Sequence, residues 1–566
     1  MNRVTLSTTS AALMLIIAVG GAVASETAHE SEARKLFTAR ADRLSSLRPS
    51  DVPNDAALEF AGAKIGTVTV RVLDVFDTHR PDENIWAFRT ANRLHLNTRE
   101  STVRDRLLFS EGELYQGRLL QESERLLRDA RYLYDASVTP IRYRDGIVDI
   151  EVVTRDVWTL NPGVSFGRKG GKNTSGFELE ELNLLGLGAQ INIQQVNAID
   201  RDITSVRFVD RQLGNSWWAF EIEHSDFSDG GAQRLVLDHP FYSLDTRWAG
   251  GISLYETERT DSRYGLGERI GEYGVDQRFR SAYVGYSSGL QGDWVTRWTF
   301  GVTSDAHDFA AVSDSPFSTV IPPDRKLVYP WIGIDWVEND FRAVRNRDQI
   351  ERTEDVQYGW SFGGRIGYST TGLGADRDAF IFDSKLRKGF EFSETRSLLI
   401  AASLGGRYEE GNFTDTLFRT SARYYHRQSD RRLFFASLYV DSGEKLDIDR
   451  ELMLGGDTGL RGFPLRYKGG QGRWLFTMEQ RAFTDWYPFR LVHVGAAAFV
   501  DVGDTWGRDP YASKTQGILA NVGVGLRLGN SRSALGNVLH IDLAFPINGD
   551  KSIKNMQLII DTKRSF

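Results

Sequence analysis

From Trp158 to Phe566 the sequence carries no helical periodicity. It breaks instead into alternating segments of about 8 to 16 residues, separated by clusters of Gly, Asp, Asn, Ser and Pro. A period of two puts every second side chain on the same face of a strand. Tyr358, Trp360, Phe362, Ile366 and Tyr368 fall on one face, against Gly359, Ser361, Gly363, Arg365 and Gly367. Trp294, Trp298, Phe300 and Val302 oppose Arg297, Thr299 and Gly301, and Leu539, Ile541, Leu543 and Phe545 oppose His540, Asp542 and Ala544. A soluble sandwich alternates too, but Trp and Tyr at segment ends suit the interfacial girdles of a membrane barrel. Arg297, Arg365, Glu479 and Asp501 on the opposite faces suit a polar lumen. Backbone groups in lipid must be satisfied by closure, which also removes edge strands. Residues 158–566 therefore read as an all-β, antiparallel transmembrane barrel.

Counting its strands is harder. Five begin near Gly472, Leu491, Gln516, Val538 and Met556. Between eleven and fifteen precede Phe463, depending on whether Leu160 to Phe227 holds long strands or several short ones. The total is roughly 16 to 20, with an even number expected. The last segment, QLIIDTKRSF, ends on aromatic Phe566, a C-terminal strand signal common in outer-membrane barrels.

Composition agrees with this reading and excludes others. The chain of 566 residues has 55 Gly, 13 Trp, 20 Tyr and 32 Phe, with a mean hydropathy of -0.36. Such values suit a barrel in which only alternate residues are apolar. Zero cysteines exclude a disulfide scaffold, a thiol nucleophile and a thiolate metal site. The net charge of -7 is mild and mixed in sign, so nothing points to nucleic acid. Gly359-Trp360-Ser361-Phe362-Gly363 fits the serine-hydrolase elbow, but that motif needs a strand-to-helix turn and this one lies in an alternating segment. The nine histidines form no metal-binding pair, and Gly265-Leu266-Gly267 and Gly523-Val524-Gly525 lack a third glycine and a helix. No catalytic, cofactor or metal residue is assigned, and the chain reads as a non-enzyme.

Upstream, Arg3, the small or apolar run Ala11–Gly21 and Ala22-Val23-Ala24 have the form of a secretory signal peptide over 1–24. The run is shorter than the roughly 18 residues a membrane anchor needs. Residues 25–63 are a polar leader, either a short helix or an unstructured segment, with Pro49 and Pro53 marking a break. Residues 64–157 then read as strand, two helices and a hairpin. Ile65–Val75 is the first strand; Leu119, Ser123, Leu126, Leu127, Ala130 and Leu133 recur at helical spacing. Ala136–Arg142 and Gly146–Arg155 are joined near Asp145-Gly146, a strong hairpin signal.

The most specific stretch is Leu454–Phe463, LGGDTGLRGF, followed by a strand with Trp474, Phe476 and Met478 on one face and Glu479 and Arg481 on the other. Then comes Phe499–Gly503, FVDVG. If Val500 and Val502 face lipid, Phe499, Asp501 and Gly503 face the lumen. An arginine inside a barrel needs a carboxylate, because a desolvated charge is costly, and guanidinium suits bidentate contact. Asp501 is the first candidate partner of Arg461 and Glu479 the second; the bland alternative is an exposed loop arginine and a hydrated lumen carboxylate.

The β-α-α-β-β order of 64–157, with GELYQGRLLQESERLLRDARYLYDASVTP leading into DGIVDIEVVTRD, resembles a POTRA domain. With the barrel, LRGF and FVDVG, the chain resembles the outer-membrane superfamily of POTRA–barrel proteins that includes BamA, TamA and the two-partner-secretion translocators. The resemblance makes Arg461, Gly462 and Phe463 the V/I-R-G-F/Y loop motif and Phe499, Asp501 and Gly503 the F-x-D-x-G strand motif. It implies that these meet inside the barrel, locking an inward loop, 447–471, against the wall. It also implies sixteen strands, and a POTRA in the periplasm that receives unfolded exported polypeptides by strand addition. A single POTRA departs from better-known members, which carry several. The implied function is to assist insertion or translocation of polypeptides at the bacterial outer membrane. Its partners would be those clients, outer-membrane lipid and the barrel assembly machinery that inserts the chain itself. The alternatives are a passive pore or surface antigen on the same scaffold, and a soluble lectin-like β-protein.

Overall fold

The structure, a computed structural model, describes residues 48–563 except 318–319, 508–516, 531, 534–537 and 552. The expected signal peptide, most of the leader, and Phe566 lie outside the described residues.

An α+β domain comes first. Its elements are α1 (Asp55–Phe60), β1 (Lys64–Leu73), α2 (Trp86–Leu94), α3 (Glu100–Arg104), α4 (Gly117–Arg128), β2 (Leu133–Arg144) and β3 (Ile147–Asp156). The Asn54 side chain caps α1 by accepting from the Ala57 N–H. Asp145 and Gly146 both take positive φ, 51° and 78°, which closes a tight β2–β3 hairpin. The sheet runs β1-β3-β2, with β1 parallel and β2 antiparallel to the central β3. Helix α4 buries Leu120, Ser123 and Leu127 against Val148, Ile150 and Val152 of β3. The helical spacing noted in sequence overruns the element: α4 stops at Arg128, and Leu133 opens β2 instead.

Among the described residues, twenty strands then close one antiparallel barrel. They are β4 (Leu160–Lys169), β5 (Lys172–Leu184), β6 (Ala189–Asn197), β7 (Asp202–Asp210), β8 (Ala219–Phe227), β9 (Gly230–His239), β10 (Trp248–Gly265), β11 (Glu268–Gln291), β12 (Trp294–Ala310) and β13 (Arg325–Glu338). A separate hairpin, β14 (Phe341–Arg345) and β15 (Thr353–Gln357), interrupts the wall. The wall resumes with β16 (Ser361–Ser369), β17 (Ala379–Ser393), β18 (Arg396–Glu409), β19 (Asn412–Ser429) and β20 (Arg432–Glu444). A long insertion holding the short pair β21 (Leu452–Leu454) and β22 (Lys468–Gly470) follows, and β23 (Gly472–Phe483), β24 (Val492–Trp506), β25 (Leu519–Asn530), β26 (Val538–Pro546) and β27 (Gln557–Lys563) complete the barrel. The sixteen strands implied by resemblance are thus corrected to twenty. Leu160 to Phe227 holds five short strands, β4 to β8, where a few long ones would have given the lower count.

The alternation sorts side chains as expected in most of the wall. Trp298, Phe300, Val302 and Ile366 are exposed outward, whereas His540, Asp542 and Ala544 are buried inward. Tyr358 departs from the expected face. It precedes β16, its N–H donates to the Asp340 carbonyl, and its ring is buried beside Arg347.

The rim where β4 begins (the near rim) carries the α+β domain. Thr102 Oγ1 donates to the Gly186 carbonyl at 2.8 Å, Arg106 to Gln212 at 2.9 Å, and Arg128 to Asp355 at 2.7 Å. Closure is weakest between β27 and β4, where the described ladder holds the single pair Ile560–Arg168, with a Lys169–Asp561 ion pair at 2.9 Å beside it.

An outward face this apolar suits lipid. Ile366, 63% exposed, tests it. Ile366→Arg is expected to cost about 2–4 kcal/mol, the size for arginine at a bilayer midplane. A change within roughly 0.5 kcal/mol, typical of a surface site in water, in urea titrations of the vesicle-embedded barrel would mean a face that meets water.

Candidate functional site

The insertion between β20 and β23 folds into the lumen from the far rim. Its neck is the β21–β22 pair, Leu452 opposite Gly470 and Leu454 opposite Lys468. Its tip is a compact turn in which the Leu460 N–H donates to the Gly455 carbonyl at 3.0 Å and Thr458 accepts from the Gly455 N–H at 2.8 Å. Leu454, Leu460, Phe463 and Tyr467 bury themselves with Leu519 of β25 and with Ile553. Gly462 has no room for a side chain: a Cβ would meet Asn521 Cβ at 2.6 Å. Its N–H donates to Asn521 Oδ1 at 3.0 Å, so the backbone itself docks on the wall.

Arg461 sits between them. Nε and Nη2 donate to the two oxygens of Asp501 at 2.8 and 2.7 Å, a bidentate pair. Nη1 donates to Glu479 at 2.9 Å and to Asp542 at 3.2 Å. The guanidinium carbon lies 3.3 Å from the centre of the Phe499 ring. Asp501 also accepts from Thr477 at 3.0 Å and from Asn521 Nδ2 at 2.8 Å. Gly503 lies beside Leu454, and a Cβ there would meet the Trp474 carbonyl at 2.7 Å. The structure therefore brings Arg461, Gly462, Glu479, Phe499, Asp501 and Gly503 together, with Phe463 in the adjoining apolar cluster.

Five neighbours, Thr477, Arg481, Asn521, Arg527 and Asp542, were not assigned to this site by sequence. Thr477 and Asn521 complete the hydrogen bonding of Asp501. Asp542 pairs with both Arg461 and Arg527, and Arg481 donates to Glu479 at 3.0 Å. The cluster thus sets three arginines (461, 481, 527) against three carboxylates (479, 501, 542), formally neutral and nearly dry. Asp542 was legible as inward-facing by parity; that it reaches Arg461 required the three-dimensional order of strands.

Further ion pairs fasten the same loop around the far rim. Arg325 of β13 clasps Asp449 at 2.8 and 2.7 Å, and Arg407 of β18 clasps Asp447 at 2.9 and 2.8 Å. From the loop outward, Arg466 clasps Asp200 at 2.9 and 2.7 Å.

The β14–β15 hairpin enters the lumen from the near rim. Ile350 packs among Tyr425, Leu433, Phe435 and Phe483 of the wall. Arg481 Nη1 donates to the Arg347 carbonyl at 3.0 Å, and Arg347 lies 3.9 Å over the Tyr425 ring. Its other end touches the α+β domain, where Arg128 clasps Asp355 and both Thr353 and Arg345 reach Asp135, at 3.1 and 3.2 Å. A continuous polar path thus runs from the domain through the hairpin, Arg481 and Glu479 to Arg461. Between the two inserts remains a cavity of about 470 Å³, lined by Arg423, Tyr439, Thr458 and Arg461 among others.

Arg461→Ala leaves three buried carboxylates facing two arginines, and losing one partner of such a pair costs about 3–5 kcal/mol. Limited proteolysis within 445–471 is expected to become fast, and Arg461→Lys should restore little, since an ammonium cannot span Asp501 bidentately. In the hairpin, burial first and Asp348 second push Glu354 up to about 7, against the N–H groups of residues 347–349 that favour its charge. A raised carboxyl favours the docked hairpin below the ordinary value of 4.5, and that contribution is lost as pH rises through about 7. Hydrogen exchange of 341–357, corrected for intrinsic rate, should be faster at pH 8 than at pH 5, and Glu354→Gln should flatten the difference.

No family model matches the chain, and no curated protein does. Among solved structures it is similar to "The crystal structure of BamA from Haemophilus ducreyi lacking POTRA domains 1-3", at 13% identity and TM-score 0.36, covering 88% of this chain and 85% of that one. It is also similar to CdiB from Escherichia coli, at 14% identity and TM-score 0.45, covering 88% and 76%. CdiB from Acinetobacter baumannii gives 12% identity and TM-score 0.42, covering 89% and 74%.

Proposed function

We propose that this chain is a bacterial outer-membrane protein of the POTRA–barrel type that assists insertion or translocation of other polypeptides. In this reading the α+β domain is a POTRA in the periplasm, and the barrel spans the membrane with its apolar outward face in lipid. The arginine loop holds the lumen in one defined state.

The observation that carries the reading is the outer side of β1 from Val70 to Val72. Strand β1 lies at the edge of its sheet beside β3, and its start is covered, the Ile65 N–H donating to the Glu113 carbonyl and the Gly112 N–H to the Ile65 carbonyl, both at 2.8 Å. The Thr67 N–H points to β3, reaching Asp149 at 2.9 Å, so Val68 points away. The Val68 N–H and carbonyl are already taken by Glu111 and Arg104, at 2.9 and 2.7 Å. Two residues further along, Val70 and Val72 present the same outer side. An extended client strand can add there by main-chain bonds. The opposite edge, β2, is obstructed: Glu124 takes the Val138 N–H at 3.0 Å and Arg352 takes the Leu133 carbonyl at 2.6 Å.

The passive-pore alternative predicts steady ion conductance, and a lumen filled from both rims speaks against it. A photoreactive residue at Arg71, exposed beside the open edge, tests both. Capture of one unfolded exported protein means a dedicated translocator, and capture of many barrel precursors means an insertase. Val72→Pro removes an outer-edge N–H without touching the β3 ladder, a position where proline is tolerated. It should abolish capture in a domain that still folds. No capture by Arg71, together with steady conductance, would return the passive reading.

A further inference from the structure

We infer that residues 82–102 of the α+β domain form a strap across the near-rim side of the β27–β4 seam, tied to the wall on both sides and holding the whole seam shut. Such a strap holds whether or not a client passes. Around the wall the strands run β23-β24-β25-β26-β27-β4-β5-β6. The seam lies in the middle of that arc.

On one side the strap is anchored to the turns after β23 and after β25. Arg490 pairs with Asp82 at 3.0 Å, and Arg532 pairs with Glu83 at 2.5 Å. Arg532 also donates to the Val75 carbonyl at 2.9 Å, and its guanidinium lies 5.6 Å from the centre of Phe76. On the other side the anchor is the β5–β6 turn. The Arg99 N–H and Thr102 Oγ1 both donate to the Gly186 carbonyl, at 3.0 and 2.8 Å, and Arg99 Nε donates to the Leu185 carbonyl at 3.0 Å. Asn183 Nδ2 reaches Thr98 at 2.8 Å. Gly186 has φ of 74°, and a Cβ there would crowd Arg99, so the turn is shaped to receive the strap.

Helix α2 spans the interval. Phe88 stacks on Phe76, ring centres 4.0 Å apart and planes 4° apart, and packs towards Trp158 and Leu491. Its C-terminal end is fixed by Asp156, which receives the Thr98 N–H at 2.7 Å and Thr98 Oγ1 at 2.8 Å, with His95 at 3.0 Å.

The described β27–β4 ladder is the pair Ile560–Arg168, near the far end of β4, whereas β4 and β5 are paired along the whole strand from Leu160 to Lys169. The start of β4 leans instead on the β25–β26 turn: the Trp158 N–H donates to the Arg532 carbonyl at 2.7 Å, and Ser533 donates to Asn161 at 2.8 Å. Arg532 is therefore a shared post for the strap and for the first barrel strand.

The chain has no cysteine, so a reporter pair can be placed without background. Arg168→Cys with Ile560→Cys puts two thiols on directly opposed strand residues, within disulfide reach. The reporter is read in membranes as disulfide yield under mild oxidant and as maleimide labelling after reduction. Release of one end uses Arg490→Ala with Arg532→Ala; release of the other uses Arg99→Ala with Thr102→Val. Either release is expected to cut disulfide yield and raise labelling several-fold, and both together should do no more than either alone, because a strap fails at one anchor. Unchanged labelling in barrels that keep their heat-resistant mobility would overturn the inference. So would additive effects of the two releases, which would mean separate local loosening. Glu83→Gln, a milder change at the first anchor, covers the case in which the double variants fail to fold and should raise labelling in the same direction.

Discussion

A guanidinium withdrawn from water is stable only where carboxylates and hydrogen bonds replace its hydration, and Arg461 satisfies that condition on three strands at once. Asp501 comes from β24, Glu479 from β23 and Asp542 from β26. Buried ion pairs add little net stability over an apolar filling, yet breaking one is expensive. Their effect is to specify arrangement. A one-residue slip of β24 would turn Asp501 outward and expose its partner, so the cluster fixes the register of this part of the wall as well as the loop.

The two inserts are held by different physics. The far-rim loop is fastened by clasped arginines from β13 and β18 and by its own Arg466 on Asp200, a ring of charge pairs around the mouth. The near-rim hairpin relies on apolar Ile350 and on a domain that is itself docked by polar contacts. These clasps all converge on one loop. The hairpin, by contrast, moves if the domain moves. A motion of the domain would therefore be transmitted to the lumen through the hairpin before it reached Arg461.

Much of this was legible in the sequence because the strand period is two. Parity alone turned Glu479, Arg481 and Asp501 inward, and the glycine-flanked LRGF announced a tight loop. Strand number was harder. Gly170 and Gly171, at φ 52° and 84°, turn β4 into β5 so sharply that two short strands read like one long segment. The β14–β15 hairpin was not legible at all. FRAVR and TEDVQ alternate like any wall strand, and periodicity does not say whether a hairpin lies in a wall or inside it. Tyr358 was misplaced for the same reason, since it belongs to the hairpin's return. Asp542 was inward by parity, but which loop residue it meets depends on how distant strands are ordered around the barrel.

Strand number and lumen content are linked. An eight-stranded barrel is filled by its own side chains, and diameter grows roughly in proportion to strand count. At twenty strands the wall's side chains cannot reach across, so filling the interior needs extra chain. This protein supplies it from both rims, a loop from one and a hairpin from the other, leaving a cavity of about 470 Å³ between them. The same width makes the closing seam a liability, because a wide sheet has more freedom to splay at its thinnest joint. The α+β domain lies across that joint and also holds the hairpin. One small domain is thereby placed where it bears on both ways into the barrel, through the lumen and through the wall.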